Sequence, residues 1–240
     1  MNQQDSTLRP GEGPEGPRID ASAVAIAPED APRPSSTELE AVQHYFGDRA
    51  ESAQRYVGHL VSTGIEWGLI GPREIPRIWS RHVLNCAAVA ELIPEGALVA
   101  DVGSGAGLPG LVLALARPDL MMILVEPLER RCQWLDMVVE DLGLGSRVDV
   151  VKARAEQVVD TIDADIVTAR AVKALKTLVP LTLPLVHGHG ELLALKGRSA
   201  QEEVEKASKI IRKYKGRDAA VLTLGTDVLE EPTTVVRVRV

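Results

Sequence analysis

From residue 97 onward, short apolar runs rich in β-branched residues alternate with segments of helical periodicity. Strands are predicted at 97–102, 121–126, 148–152, 165–169, 191–195, 219–224 and 233–240, and helices at 109–117, 128–142, 154–160, 173–187 and 199–214. Nearly continuous apolar strands separated by helices are typical of a parallel sheet covered on both faces. Only a short turn region, 225–232, joins the last two strands, so they should pair antiparallel at one edge. The pattern predicts an α/β fold with a mostly parallel seven-stranded sheet.

Two further segments precede this α/β domain, which we assign to residues 94–240. Residues 1–37 hold six of the 15 prolines and no aromatic residue, a composition that predicts a disordered acidic tail. Ser36 and Thr37, with Glu40 as partner, predict a helix start with a capping box. Helical spacing then predicts a first helix of about two dozen residues that ends near Gly64. A helical appendage is therefore expected over 38–93.

Several protein classes are excluded by what the sequence lacks. It has no apolar run of 18 residues, so no membrane-spanning helix is predicted, and no apolar core of a signal peptide follows Met1. The two cysteines, Cys86 and Cys132, form no Cys-x-x-Cys pair, which argues against a disulfide framework or a zinc site and favours a cytoplasmic location. His187 and His189 have no further ligands nearby in the sequence, so no metal site is predicted.

The strongest local motif follows the first predicted strand, where four glycines occur in the eight residues 103–110. Glycines let a backbone approach a ligand closely and adopt positive φ angles. In an open α/β sheet, ligands bind outside the carboxyl ends of the strands. We therefore expect a ligand at this loop.

Two cofactors compete for the loop. Gly105-x-Gly107-x-x-Gly110 matches the dinucleotide fingerprint, whereas Asp101-x-Gly103-x-Gly105-x-Gly107 matches the pattern of class I S-adenosylmethionine (AdoMet) methyltransferases. A carboxylate at position 101 would repel a pyrophosphate and would attract the sulfonium and ammonium groups of AdoMet. AdoMet is thus favoured, and an NAD-dependent oxidoreductase remains the alternative.

Other strand ends supply further candidates. Glu126 ends the second strand, where a carboxylate can accept hydrogen bonds from both ribose hydroxyls of a nucleoside. Residues 152–156 follow the third strand, where backbone groups would flank an adenine ring. Arg170 ends the fourth strand and indicates a contact to a phosphate or to a flat base. A salt bridge from Arg170 to Asp101 or Glu126 is the competing interpretation.

Taken together, six segments resemble the bacterial small-subunit rRNA guanine-N7 methyltransferases, also called the glucose-inhibited division protein B family. They occur in the family's order, cover about residues 38–240, and read Arg81-His82-x-Leu84-Asn85, Asp101–Gly110 ending in Gly-Leu-Pro-Gly, Glu126-Pro-Leu-x-Arg-Arg131, Arg154-Ala-Glu156, Ala169-Arg170-Ala171 and Ala194-Leu-Lys-Gly197. The resemblance implies a class I, Rossmann-like methyltransferase fold. It also implies methyl transfer from AdoMet to N7 of a specific guanine in 16S rRNA, with S-adenosylhomocysteine as the product.

The resemblance further implies roles for individual residues: Gly103 and Leu108 line the AdoMet site, Ala155 and Glu156 flank the adenine, and Arg170 faces the cofactor and the target base. The full set expected to bind the cofactor is Asp101, Gly103, Gly105, Gly107, Leu108, Glu126, Ala155, Glu156 and Arg170. Arg170, His82 and Arg81 are the candidates for positioning the target base. Guanine N7 has a free lone pair, so no general base is required, and catalysis would depend on proximity and in-line alignment.

The net charge of −7 gives no bulk attraction for RNA, so local basic groups should make the contact. The candidates are Arg73, Arg77, Arg130, Arg131, Lys196, Arg198, Lys209, Arg212 and Lys213. Such runs are more often solvated helix faces, and the RNA assignment therefore depends mainly on the resemblance. An acidic enzyme is expected to need structured rRNA within a ribonucleoprotein particle, and we expect it to act as a monomer. A non-catalytic AdoMet-binding assembly factor is the third alternative.

Overall fold

The computed structural model describes residues 31–240, and its centre is one seven-stranded sheet. The strands are β1 Leu98–Val102, β2 Met121–Glu126, β3 Val148–Lys152, β4 Ile166–Arg170, β5 Glu191–Leu195, β6 Arg217–Leu224 and β7 Thr233–Arg239. Their order is β3-β2-β1-β4-β5-β7-β6. Strands β1 to β5 run parallel, and β7 is antiparallel to both β5 and β6. The predicted fold class, an α/β fold with a mostly parallel seven-stranded sheet and an antiparallel edge, is confirmed.

Helices flank the sheet and precede it. The α-helices are α1 Ser36–Phe46, α2 Ala50–Val61, α3 Thr63–Glu66, α4 Asn85–Ala87, α5 Gly110–Ala116, α6 Glu129–Asp141, α7 Leu175–Thr182 and α8 Ala200–Lys213. A 3₁₀ helix, Pro72–Arg77, and a π-helix, Ile78–Leu84, connect α3 to α4. None of the helices in residues 31–240 has both the length and the hydropathy that crossing a bilayer requires.

The direction in which successive strands are added to the sheet reverses between β1 and β4. From β1 the chain proceeds outward through β2 and β3, and it then returns to the other side of β1 to build β4 and β5. The carboxyl ends of these five parallel strands meet at one edge of the sheet. A crevice at such a reversal is where open α/β sheets bind ligands, so the topology places the predicted site residues at one edge.

The N-terminal helices pack into the same core as the sheet. Phe46, Tyr56 and Leu60 are fully buried and belong to the same apolar cluster as α5 and α6. Burying each side chain of this size contributes about 1.5–3 kcal/mol. The opposite face of the sheet packs against α7 and α8. The helical region expected over 38–93 therefore covers one face of the sheet.

Two predictions about the first helix were wrong in detail. The capping box uses Ser35 and Glu38 rather than Ser36 or Thr37 with Glu40: the Glu38 amide donates to Ser35 Oγ at 3.3 Å, and the Ser35 amide donates to Glu38 Oε2 at 2.8 Å. The single long helix is divided at Gly47, whose φ of +51° ends α1.

The predicted tail at residues 1–37 lies mostly outside the described residues. Its last part is described and is packed: Ala31 is 5% exposed. The indole Nε1 of Trp79 donates to the Pro32 carbonyl at 2.8 Å. Packed structure therefore extends at least to Ala31, upstream of the boundary expected at residue 38.

Candidate active site

The glycine loop between β1 and α5 has the backbone that its sequence predicts. Gly103 has a φ of +71°, and a Cβ atom there would lie 2.9 Å from Cγ2 of Val172, in the loop after β4. Gly107 has a φ of +80°, and a Cβ atom there would lie 2.5 Å from Cδ1 of Leu111. Both positions thus exclude larger residues by conformation and by space. The loop is closely packed between the ends of β1 and β4 and the first turn of α5.

Asp101, the last but one residue of β1, organises this loop from beneath. Its side chain is fully buried. Oδ1 accepts from Thr168 Oγ1 at 2.9 Å, and Oδ2 accepts from Ser104 Oγ at 2.6 Å and from the Gly110 amide at 3.0 Å. Burial raises the pKa of Asp101, and these hydrogen bonds together with nearby Arg170 partly oppose that effect.

The expected direct contact between Asp101 and the cofactor is not supported by this geometry. Three protein donors already occupy the carboxylate, and it has no exposed surface. Its effect on a ligand is therefore exerted through the loop. The same contacts bear on the dinucleotide alternative, because Asp101 occupies the Gly110 amide at the start of α5 with a carboxylate, and a pyrophosphate would need that amide free.

Glu126, at the end of β2, contacts the glycine loop directly. Its Oε2 accepts from the Gly105 amide at 3.0 Å, and its Oε1 accepts from the Leu128 amide at 3.0 Å. Arg131 Nη1 lies 3.7 Å from Oε2. A carboxylate offers about four acceptor positions, so both oxygens retain capacity for a further hydrogen bond. The side chain is buried, and its remaining acceptor capacity is what the two hydroxyl groups of a ribose would use.

The turn after β3 lies beside Glu126 at the same edge, because β3 pairs with β2 and Lys152 is in register with Glu126. Ala155 is buried, Glu156 is exposed, and both belong to the 3₁₀ turn Ala155–Gln157. The structure thus brings together the residues predicted to bind a nucleoside from the ends of β1, β2 and β3.

Arg170, at the end of β4, lies against the N-terminal helical region. Its Nη2 donates to Nδ1 of His82. Its Nη1 lies 3.4 Å from the carbonyl oxygens of Arg81 and His82 and 3.3 Å from Sγ of Cys86. Asp101 and Glu126 have other partners, so the alternative salt bridge from Arg170 to either acid is not formed within residues 31–240.

His82 links Arg170 to a residue that the sequence did not single out. Its ring is buried, and its Nε2 lies 2.8 Å from Oε2 of Glu74. Burial and Arg170 lower the pKa of His82, although Glu74 partly opposes them. The hydrogen bond to His82 lowers the pKa of Glu74. Of the three candidates for base positioning, Arg170 and His82 are in contact, whereas Arg81 contributes its carbonyl and its side chain is exposed.

Tyr56 is a second residue that sequence reasoning missed. It is fully buried in α2, and its hydroxyl donates to the Ala106 carbonyl in the glycine loop at 2.6 Å. Its helical spacing marks it as a core residue. No local pattern could reveal that it also holds a loop 50 residues away.

The basic candidates for RNA contact separate into two groups. Arg73, Arg77, Arg130, Arg131 and Arg198 lie on segments at the carboxyl edge, near Arg170 or directly after a parallel strand. Lys209, Arg212 and Lys213 lie near the end of α8, which leads to β6. The start of β6 lies at the same edge of the sheet as the start of β5, because Arg217 pairs with Arg239 of β7 and Arg239 pairs with Glu191. A helix of 14 residues spans about 21 Å, so this second group lies at the opposite edge of the sheet.

Lys196, a candidate for RNA contact, is engaged in contacts within the chain. Its side chain is only 10% exposed, and its Nζ lies 2.9 Å from Oε2 of Glu203. It also donates to the Lys173 carbonyl at 2.6 Å. Lys196 therefore ties the end of β5 to α8 and to the loop after β4, rather than extending toward a ligand.

Comparisons with known proteins show which family this chain belongs to. The family model GidB, described as rRNA small subunit methyltransferase G, matches residues 49–231. A protein named Ribosomal RNA small subunit methyltransferase G from Pseudarthrobacter chlorophenolicus is 61% identical over 204 residues, or 85% of this chain and 94% of the relative. Its counterpart from Renibacterium salmoninarum is 62% identical over 200 residues, or 83% and 93%. A solved SAM-dependent O-methyltransferase from Thermotoga maritima aligns with a TM-score of 0.49 and 16% identity, over 65% of this chain and 64% of that chain. The chain belongs to the GidB family of rRNA small subunit methyltransferases G.

Proposed function

We propose that this chain transfers the methyl group of AdoMet to N7 of a specific guanine in 16S rRNA of the small ribosomal subunit. The names of its relatives support the rRNA target. The observation that carries the proposal is the pair of buried carboxylates, Asp101 and Glu126, at the ends of β1 and β2. Asp101 occupies the Gly110 amide and Glu126 the Gly105 amide, so these two amides, which a pyrophosphate would need, are not free; this favours a nucleoside without phosphate over a dinucleotide.

The chain's own residues would hold AdoMet in the crevice as follows. The glycine loop 103–107 passes close to the ligand, and Leu108 supports it from a buried position. Glu126 accepts from the ribose hydroxyls, and Ala155 with Glu156 flanks the adenine. AdoMet supplies an electrophilic methyl group when bound. Asp101 contributes by keeping the loop in its shape.

The chemistry requires alignment more than proton transfer. N7 of guanine attacks with a free lone pair, so the protein has to place the base in line with the methyl carbon and the sulfur. Arg170, which is hydrogen-bonded to His82, would orient the base. Covalent catalysis by a cysteine is disfavoured because burial raises the pKa of both Cys86 and Cys132, which opposes formation of a thiolate.

We further propose that the substrate is an assembled particle in the cytoplasm and that the enzyme acts on it as a monomer. With a net charge of −7, the chain has little general attraction for loose RNA. A folded particle can instead present shape and protein contacts around the target base. Equal rates on naked rRNA and on small subunits would contradict this part of the proposal.

The direct test incubates the full chain with labelled AdoMet and small subunits purified from cells that lack this enzyme. We expect one label per subunit at most, released as N7-methylguanine on digestion. Subunits from the parental cells, which contain the enzyme and whose rRNA is therefore already methylated, serve as the control and should accept little label. Label in another base would refute the N7 assignment. Calorimetry that shows tight binding of NAD and no binding of AdoMet would favour the oxidoreductase alternative, and AdoMet binding without turnover would favour the assembly factor.

A further inference from the structure

We infer that Glu74, acting through His82, holds the Arg170 guanidinium in position for methyl transfer, and that protonation of His82 releases it. The inference rests on the proposed function, in which Arg170 faces the target base. Glu74 and His82 are thus positioning residues, and neither needs to touch the base or the cofactor.

The hydrogen-bonding geometry permits only one form of the histidine. An arginine side chain has donors and no acceptor, so Nδ1 of His82 must be unprotonated to accept from Arg170 Nη2. Nε2 must then carry the proton, which it donates to Glu74 Oε2 at 2.8 Å. Only the neutral ring with hydrogen on Nε2 satisfies both neighbours, so Arg170 at Nδ1 and Glu74 at Nε2 select it together.

Arg170 has no comparable second support among the described residues. Its remaining contacts, to the carbonyl oxygens of Arg81 and His82 and to Cys86 Sγ, are at 3.3–3.4 Å. These distances exceed those of charge-assisted hydrogen bonds, which are about 2.7–2.9 Å. The orientation of the guanidinium therefore depends on the acceptor that His82 provides.

The groups around His82 set the direction of its pH response. Burial, Arg170 and Arg81 lower the pKa of His82, and Glu74 raises it; the net shift is downward, so the ring is neutral near neutral pH. Two other titratable groups lie near Arg170, Tyr56 of α2 and Cys86 of α4, and burial raises the pKa of both. Glu38 of α1 is held by Ser35.

Protonation removes the acceptor and places two cations side by side. Below the pKa of His82, Nδ1 carries a hydrogen that points at the Arg170 guanidinium. Methylation should therefore decline as the pH falls through the pKa of His82, and should recover as the pH rises. The decline should appear in kcat, with the KM for AdoMet little changed, because Glu126 and the glycine loop are not involved.

Three variants separate positioning from a merely structural role. Glu74→Ala removes the acceptor for Nε2–H and should lower kcat about tenfold, the equivalent of 1.4 kcal/mol. Glu74→Gln retains an acceptor oxygen and should restore most of that activity, with the acid limb moved to lower pH since the negative charge is gone. His82→Asn places an amide oxygen near the position of Nδ1 and cannot titrate, so its activity should be reduced but free of the acid limb. His44→Asn, at an exposed position of α1, is the matched control and should keep the wild-type pH profile.

Kinetics with small subunits from about pH 5 to about pH 8 give the pH profile, and nitrogen NMR of the histidine rings gives the tautomer of His82 in the free protein. We expect the Nε2–H form in the wild type and in Glu74→Gln, and a mixture of tautomers in Glu74→Ala. An acid limb that persists in His82→Asn, or a wild-type ring protonated on Nδ1, would overturn the inference. If the wild type transfers no methyl group, the proposed function fails, while the NMR result still decides whether Glu74 selects the tautomer.

Discussion

At the level of single residues, the Asp101 carboxylate decides whether the glycine loop keeps its shape. The Asp101→Ala substitution removes the acceptor shared by three buried donors: Ser104 Oγ, Thr168 Oγ1 and the Gly110 amide. An unsatisfied buried donor costs about 1–3 kcal/mol, and partial relaxation should leave a total decrease of about 3 kcal/mol in the free energy of unfolding. Urea denaturation measures this decrease, and calorimetry should show weaker AdoMet binding.

The control for Asp101 is Asp149→Ala, which removes an exposed carboxylate from β3 and should leave stability and binding nearly unchanged. A variant at position 101 that keeps its stability but binds AdoMet more weakly would contradict the indirect role and would restore a direct electrostatic one.

In the proposed function Glu126 contacts the ligand directly, and its contribution should be visible in the affinity for AdoMet. Glu126→Gln removes the charge and turns an amide NH₂ toward the Gly105 or the Leu128 amide, both of which now donate to the carboxylate. Hydrogen bonds to charged groups contribute about 1.5–3 kcal/mol, so the dissociation constant for AdoMet should rise at least about tenfold. Glu140→Gln, an exposed change in α6, provides the comparison. Equal affinities of the two variants would exclude a ribose contact by Glu126.

At the level of elements, α2 is joined to the glycine loop by the hydrogen bond from Tyr56 to the Ala106 carbonyl. Tyr56→Phe keeps the buried ring but leaves the Ala106 carbonyl without its donor. We expect a decrease of about 1 kcal/mol in the free energy of unfolding, together with weaker AdoMet binding because the loop is less restrained. Tyr214→Phe, after the end of α8, removes a hydroxyl far from the loop and should do neither. Unchanged AdoMet affinity in Tyr56→Phe would show that α2 packs against the loop without shaping it.

The elements that local patterns determine were predicted closely. Strands β2, β3 and β5 have the predicted bounds because each is a short segment rich in β-branched and other apolar residues that the sequence pattern delimits on both sides. The break at Gly47 was missed because apolar residues continue at helical spacing on both sides of it. The candidate site divides in the same way. The glycine loop and Glu126 follow from motifs, whereas the Thr168–Asp101 and Arg170–His82 contacts join residues 67 and 88 positions apart, and only the folded chain brings them together.

At the level of the whole molecule, the polarity of the sheet determines which basic side chains can reach an RNA bound at the crevice. Arg73, Arg130 and Arg198 are exposed and lie at the carboxyl edge. Lys209, Arg212 and Lys213 are on α8 and lie at the opposite edge. The two sets carry the same charge, so replacing either with glutamine changes the net charge by the same amount. Any difference between the two triple variants must therefore come from position.

Salt dependence distinguishes the two triple variants. Removing one ion pair between a basic side chain and an RNA phosphate should reduce the slope of log K against log salt by about 0.7–0.9. We expect the carboxyl-edge variant to raise the KM for small subunits and to reduce the slope by about two units, while its kcat at saturation changes little because the glycine loop, Glu126 and Arg170 are intact. The opposite-edge variant should retain the wild-type slope. The reverse result would mean that the particle binds the far side of the sheet through α8, and that the target base reaches the crevice from a distance of about the length of that helix.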